Sequence, residues 1–267
     1  MKVGCSSWTF DVPIRSTALS LPEFIGAAAD LDLDSVELLD HHFTETNASY
    51  IQSLALAASN SGVEVACVAV SNKFGYPDPE IRDSGVERLK TFARIAIDLG
   101  ARAIRVFTGD NGSSTEENMA RKLWVVDALK RTAEIAEQLN IPFGIENHDV
   151  ICRSADEILW LMDEVDSAFI GTCPDPLNWN PNGDDPELIY AETEKLAPFA
   201  VHAHVKVTNI NKQGEDSRID FGRLIHIFSD SEFIGCQSIE HRIQEPSKEL
   251  PAIVEMVRRH IGALAND

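Results

Sequence analysis

Four residues close β-like runs in the second half of this chain: Glu146, Asp175, His204 and Glu240. They lie 29, 29 and 36 residues apart, close to one strand-plus-helix unit each. Two glutamates, an aspartate and a histidine form a hard, oxygen-rich ligand set for a divalent metal ion. If those runs are neighbouring parallel strands of one closed sheet, the four side chains meet at its C-terminal rim. Such a site suits Mn²⁺, Mg²⁺ or Co²⁺ better than a structural zinc, which prefers cysteine and histidine in a closed shell, with zinc kept as the alternative. Four protein ligands leave positions open on a six-coordinate ion for a substrate carbonyl and an adjacent hydroxyl. The ion would act as a Lewis acid and stabilise an enediolate. A carboxylate could then remove the neighbouring proton and a second group return it.

Side-chain alternation decides which residues can meet. In Val201-His202-Ala203-His204-Val205-Lys206-Val207 the valines and Ala203 fall on the helix side, and His202, His204 and Lys206 on the lumen side. Polar groups on one face of a buried strand must find partners or water. A lone histidine there is commonly a satisfied core residue, but two histidines and a lysine in register point to function. Glu146 follows Gly144 on one face, with Phe143 and Ile145 on the other; a rim salt bridge is its structural alternative. Asp175 follows Gly171 and Cys173, and ahead of Pro176 it also reads as a turn aspartate. Cys236, Ser238, Glu240 and Arg242 share a face, so Arg242 could simply neutralise Glu240. Each signal is weak alone. Their recurrence on four consecutive strand ends makes the site.

The elements that must position these residues alternate along the whole chain. Strands are expected at Lys2–Trp8, Ser35–Asp40, Val63–Ser71, Ala103–Gly109, Pro142–His148, Phe169–Asp175, Val201–Val207 and Gly235–Arg242. Helices are expected near 21–31, 47–61, 78–99, 115–139, 154–165, 185–197, 220–229 and 247–264. Ser20 and Ser154 each precede a glutamate by three residues, a capping-box spacing. Pro79 and Pro186 suit first-turn positions, and Gly62 and Gly100 suit helix C-caps. Eight strand–helix pairs argue for a parallel sheet with right-handed crossovers. The count, with no Gly-rich phosphate loop after the first strand, favours one closed (β/α)8 barrel over residues 1–267. The longest polar turn, Asn178–Asp185, follows strand six.

Composition narrows the function. Forty-three acidic against 23 basic residues give a formal net charge of −20, which repels polyanions and makes nucleic acid an unexpected partner. No apolar run reaches the ~18 residues of a membrane span. The N-terminal stretch enters a β-like run without a signal-peptide core, so a cytoplasmic protein is expected. Five scattered cysteines without a C-x-x-C pair read as reduced, mostly buried thiols.

Taken with their order, Ile145-Glu146-Asn147-His148, Cys173-Pro174-Asp175-Pro176-Leu177-Asn178, His202-Ala203-His204-Val205-Lys206 and Ser238-Ile239-Glu240-His241-Arg242 resemble the xylose isomerase-like barrel superfamily. The likeness is to its sugar phosphate isomerase/epimerase group. Ser35-Val36-Glu37-Leu38 agrees, and the likeness spans essentially the whole chain. It implies that Glu146, Asp175, His204 and Glu240 bind one divalent metal. It also implies that Glu146 and Glu240 exchange protons with opposite faces of the substrate. His202 is left as a supporting or substrate group. Lys206 and Arg242 look like hydroxyl, carboxylate or phosphate contacts, and Glu37 and His148 could line the pocket. Asn178 stands where several relatives carry a histidine that contacts substrate or metal, a departure from the ketose epimerase pattern. The superfamily's DNA-repair endonucleases need several more histidines than His41 and His42 supply. Trp8, Trp179 and Phe107 offer apolar faces for a sugar.

The expectation is therefore a metal-dependent isomerase or epimerase of a small sugar or keto-polyol, working through a metal-stabilised enediolate. A dehydratase or lyase resembling inosose or dehydroshikimate dehydratases is the runner-up, and a non-catalytic sugar-binding barrel a third reading. A homo-oligomer is compatible with the sequence.

Overall fold

The computed structural model describes residues 1–109, 118–180, 184–207, 210–241 and 245–264. Eight short strands form one parallel sheet: β1 Lys2–Ser6, β2 Ser35–Leu39, β3 Glu64–Ala69, β4 Ala103–Val106, β5 Phe143–Glu146, β6 Ile170–Cys173, β7 Ala203–Val205 and β8 Cys236–Ile239. Their order is β6-β5-β4-β3-β2-β1-β8-β7. The two ends approach each other: Thr172 bridges to Ala200, Val201 N–H donates to Thr172 O at 2.9 Å, and His204 N–H donates to Pro174 O at 2.9 Å. The result is a nearly closed (β/α)8 barrel. Gly171 permits that approach, because a Cβ there would lie 2.6 Å from the Phe199 carbonyl oxygen.

The helices are α1 Asp11–Arg15, α2 Leu21–Asp30, α3 Ala48–Ser61, α4 Pro79–Asp98, α5 Asn118–Leu139, α6 Ala155–Val165, α7 Pro176–Trp179, α8 Pro186–Leu196, α9 Phe221–Asp230 and α10 Pro246–Ala263. Both expected capping boxes form, Ser20 with Glu23 and Ser154 with Glu157. Gly62 ends α3 at φ 69°, a left-handed position that costs glycine no Cβ clash. The one-turn helices α1 and α7 lie inside loops and were not expected. The expected helix start at 115–117, Arg242 and part of the 178–185 turn lie outside the described residues.

Outward residues such as Val36, Leu38, Val68, Ile104 and Ile145 pack against the helices in one apolar core. The lumen differs. Strand register aligns Gly4 with Ser35 and Ser238, Arg105 with Gly144, Gly144 with Gly171, and Glu146 with Cys173. A register shift between Val36 and Glu37 pairs Glu37 with Cys67. Barrel interiors are usually filled by bulky branched side chains. Here small and polar residues replace them, which lets a polar site reach down between the strands. All five cysteines are free and buried, as the sequence suggested. Among the described residues no helix is long and apolar enough to cross a membrane.

Candidate active site

Glu146, Asp175, His204 and Glu240 offer ligand atoms that all lie within 4.8 Å of one another, and all four side chains are buried. Each arrives from a different strand end. Glu146 is the last residue of β5 and His204 the middle of β7, while Asp175 and Glu240 stand just beyond β6 and β8. The polypeptide beyond the ladders is fixed by side chains. Asn147 receives Asp175 N–H at 2.7 Å and donates to Asp175 O at 2.9 Å, tying the two rims together. Thr9 Oγ1 donates to Ile239 O at 3.0 Å and accepts from His241 N–H at 3.1 Å, bracketing Glu240.

His204 Nδ1 faces the three carboxylates, 3.7 Å from Glu146 Oε1 and 3.6 Å from both Asp175 Oδ2 and Glu240 Oε2. Its other nitrogen, Nε2, sits 3.1 and 3.3 Å from the Glu37 carboxylate oxygens. Glu37 also stands 3.4 Å from His202 Nε2, which is 3.0 Å from Ser238 Oγ. Glu37 therefore holds the back of the imidazole and aims Nδ1 at the carboxylates, the arrangement by which a carboxylate orients a metal-binding histidine. Burial opposes ionisation of Glu37, but the His204 and His202 rings hold its carboxyl well below the usual range.

Two cations complete the shell. Lys206 Nζ contacts Asp175 Oδ2, lies 3.1 Å from Glu240 Oε2 and donates to Asn178 Oδ1 at 3.0 Å. Asn178 in turn donates to Glu146 Oε1 at 2.9 Å. Arg105 Nε lies 3.1 Å from Glu146 Oε2, and its guanidinium stacks 3.8 Å over Phe107. Burial lowers and the neighbouring carboxylates raise the affinity of Lys206 and Arg105 for their protons, and the carboxylates win.

The donor set fits a divalent ion. Asp175 Oδ1 and His204 Nδ1 are buried without a hydrogen-bond partner. Such orphans are costly unless another ligand satisfies them. Burial works against a charged His204, yet Cys173, Glu240, Glu37 and Glu146 around it push its pKa well above the ordinary value. The carboxylates thus draw positive charge to the point where the four ligand atoms converge.

Above this cluster opens a cavity of about 360 Å³ lined by Trp8, Leu39, His41, Ser71, Arg105, Phe107, His148, Lys206 and Glu240. Of the residues expected to touch substrate, His148 and Lys206 are on this wall, His148 with its ring 4.5 Å from that of Phe107. Trp8 and Phe107 are on it too. Glu37, His202 and Asn178 are not: Glu37 is engaged by His204 and His202, His202 by Ser238, and Asn178 by Glu146 and Lys206. Trp179 is also absent from the wall; its indole donates to Arg153 O at 2.8 Å and it packs against the core. Arg242 lies outside the described residues. Among the described residues, Lys206 pairs with Glu240. Arg105 and Asn147 were missed, although a lone arginine in the run Ala103-Ile104-Arg105-Val106 is a legible signal. It pairs in register with Gly144 on β5, and its guanidinium reaches Glu146 at the end of that strand.

The model of xylose isomerase-like TIM barrels matches residues 25–260. A D-psicose 3-epimerase from Clostridium cellulolyticum H10, solved with D-tagatose, superposes with a TM-score of 0.79 at 15% identity, over 98% of this chain and 99% of that one. A D-tagatose 3-epimerase-like protein gives 0.78 at 18% identity, over 99% and 100%. A 3-keto-D-glucoside 4-epimerase from E. coli gives 0.77 at 16%, over 97% and 99%. At these identities the likeness establishes the shared fold. No curated protein matches the chain by sequence.

Proposed function

Because the chain belongs to the xylose isomerase-like TIM barrel family, we propose that it is a divalent-metal-dependent isomerase or epimerase of a small sugar or keto-polyol. The observation that carries this reading is the convergence of Glu146, Asp175, His204 and Glu240 within 4.8 Å beneath an open cavity. The same fold houses sugar epimerases among the solved structures. A divalent ion held by these four residues, with Mn²⁺, Mg²⁺ or Co²⁺ favoured by the oxygen-rich set, would polarise the substrate carbonyl and acidify the adjacent C–H.

The protein's own groups do the rest. Glu240 reaches the cavity wall and is the carboxylate best placed to take a proton from bound substrate. Glu146 is the second carboxylate, held by Arg105 at one oxygen and Asn178 at the other, and it returns a proton from a different side. Lys206 and His148 bind hydroxyl oxygens, while Phe107 and Trp8 cover the apolar face of the sugar and exclude water.

A second reading, a dehydratase that begins with the same proton abstraction, is favoured by two features. Asn178, rather than a histidine, stands beside Glu146, and the Lys206 ammonium lies next to Glu240, where it could protonate a departing β-hydroxyl. Metal analysis of the purified protein, then incubation with a ketose and keto-polyol panel in D₂O read by mass, tests both. Deuterium uptake at unchanged skeleton supports the isomerase, and loss of water supports the dehydratase. Full activity after exhaustive chelation overturns the metal-dependent reading.

A further inference from the structure

Two cavities open side by side on the C-terminal rim and share a wall. One is the cavity above the metal ligands. The other, about 490 Å³, lies between the loops that follow β1 and β2, and Arg15, Thr17, Leu21, Phe43, Thr44 and Tyr50 are among its lining residues. His41 belongs to both. Glu37 on β2 reaches His204 on β7 across the lumen, so His41, at the rim of β2, stands on the far side of the reaction cavity from Lys206.

The base of this wall is built from satisfied, buried polar groups: Ser7, Asp11, Asp40 and His42. His42 spans Ser7 Oγ at 2.9 Å and Asp11 Oδ1 at 3.0 Å, and Ser7 Oγ accepts the Leu39 N–H at 2.9 Å. Asp40 accepts from Ser71 N–H at 2.9 Å and pairs with Arg88. A network of this kind rigidifies what it holds. His41 itself is held more loosely, with Nδ1 3.4 Å from Asp40 Oδ1 and its side chain 37% exposed. Among the described residues, the side chain common to both cavities is this half-exposed ring on a fixed base.

The outer cavity has a carbohydrate's chemistry. Phe43 and Tyr50, ring centroids 6.4 Å apart, supply apolar surface. Thr17, Thr44 and Arg15 supply hydroxyls and a guanidinium. Pockets of about 300–1,000 Å³ with an apolar lining and a few polar groups are the usual size and make-up for small ligands. The inner cavity stands near the lower end of that range, room for one sugar ring.

We propose that the preferred substrate is a glycosylated keto sugar, with the reacting ring above the metal ligands and the glycosidically attached ring in the groove between the β1 and β2 loops, the linkage crossing at His41. This rests on the isomerase reading. The test uses the full-length, Mn²⁺-loaded protein with D-fructose against the ketose disaccharides maltulose, isomaltulose, turanose and lactulose, following deuterium uptake from D₂O. At least one disaccharide should show a kcat/KM ten-fold or more above that of fructose. Tyr50→Ala and, separately, the exposed-site change Arg15→Ala should each erase that advantage and leave fructose turnover unchanged. Equal rates on fructose and all four disaccharides, or an advantage untouched by both variants, overturns the proposal. If no sugar takes up deuterium, the isomerase reading fails by itself, and calorimetric binding of the same disaccharides decides the groove. Binding weakened ten-fold by Tyr50→Ala or Arg15→Ala supports it; absent binding, or binding equal in wild type and both variants, overturns it.

Discussion

At the scale of single residues, the site is governed by what lies behind its ligands. Glu37 is wholly buried and touches His204 at 3.1 Å, so its effect on substrate is exerted through the imidazole. Glu37→Gln keeps the shape but removes the charge that fixes the ring. Loss of such a supporting carboxylate typically costs 10- to 100-fold in metal affinity. We expect that loss in titration calorimetry with Mn²⁺, with an unchanged circular dichroism spectrum; an unaltered Kd would refute the role. Glu240→Gln removes the proposed proton acceptor on the cavity wall. General acid–base groups contribute about 10²- to 10⁴-fold, so kcat should fall by that amount while KM changes little. A variant retaining near-full turnover would move the proton transfer elsewhere.

At the scale of elements, all eight strands were legible, since short β-branched runs recur between helical stretches along the whole chain. Their ends were read too long. The strands themselves end at Cys173 and Ile239; Asp175 lies beyond, held by Asn147, and Glu240 beyond, held by its own N–H on Val205 O and by Thr9 on the residues either side. Side-chain clamps of that sort leave no periodic trace in a sequence. The convergence of the four ligands was readable because strand-to-strand spacing carries it. The layer beneath was not, because the meeting of Glu37 with His204 depends on closure across the lumen. The helices α1 and α7 span a turn or little more, too short for an apolar period to declare itself.

The rim of β2 offers a test at this scale. Burial pushes the Asp40 carboxyl up, but hydrogen bonds from His41, Arg88 and Ser71 outweigh it and hold the pKa at about 2. A depressed carboxyl stabilises the fold above its unfolded value and loses that contribution as pH falls through the folded one. The shift from 3.8 corresponds to about 2 kcal/mol, present at neutral pH and lost between roughly pH 4 and 2. Urea unfolding of Asp40→Asn should show a deficit of that order at pH 7 that narrows towards pH 2.5. A deficit independent of pH would mean that packing, not charge, ties Asp40 to Ser71 and Arg88.

At the scale of the whole molecule, the net charge of −20 includes a buried set of acids whose ligand atoms converge on one point. A ligand that binds only the folded state stabilises it by RT ln(1 + [L]/Kd), about 2.7 kcal/mol at 100 times Kd. For a chain of this size that corresponds to roughly 5–10 °C in Tm. Calorimetric scans with Mn²⁺ and with chelator should differ by that margin and respond to metal concentration. Identical scans would argue that Lys206 and Arg105 already balance the acids.

The first loop holds the last strand. Because Thr9 grips the polypeptide on both sides of Glu240, the loop after β1 sets the position of the proposed proton acceptor as well as closing the wall of the cylinder. Replacing Thr9 with valine, which keeps the shape but removes both bonds, would therefore register more in turnover than in melting behaviour.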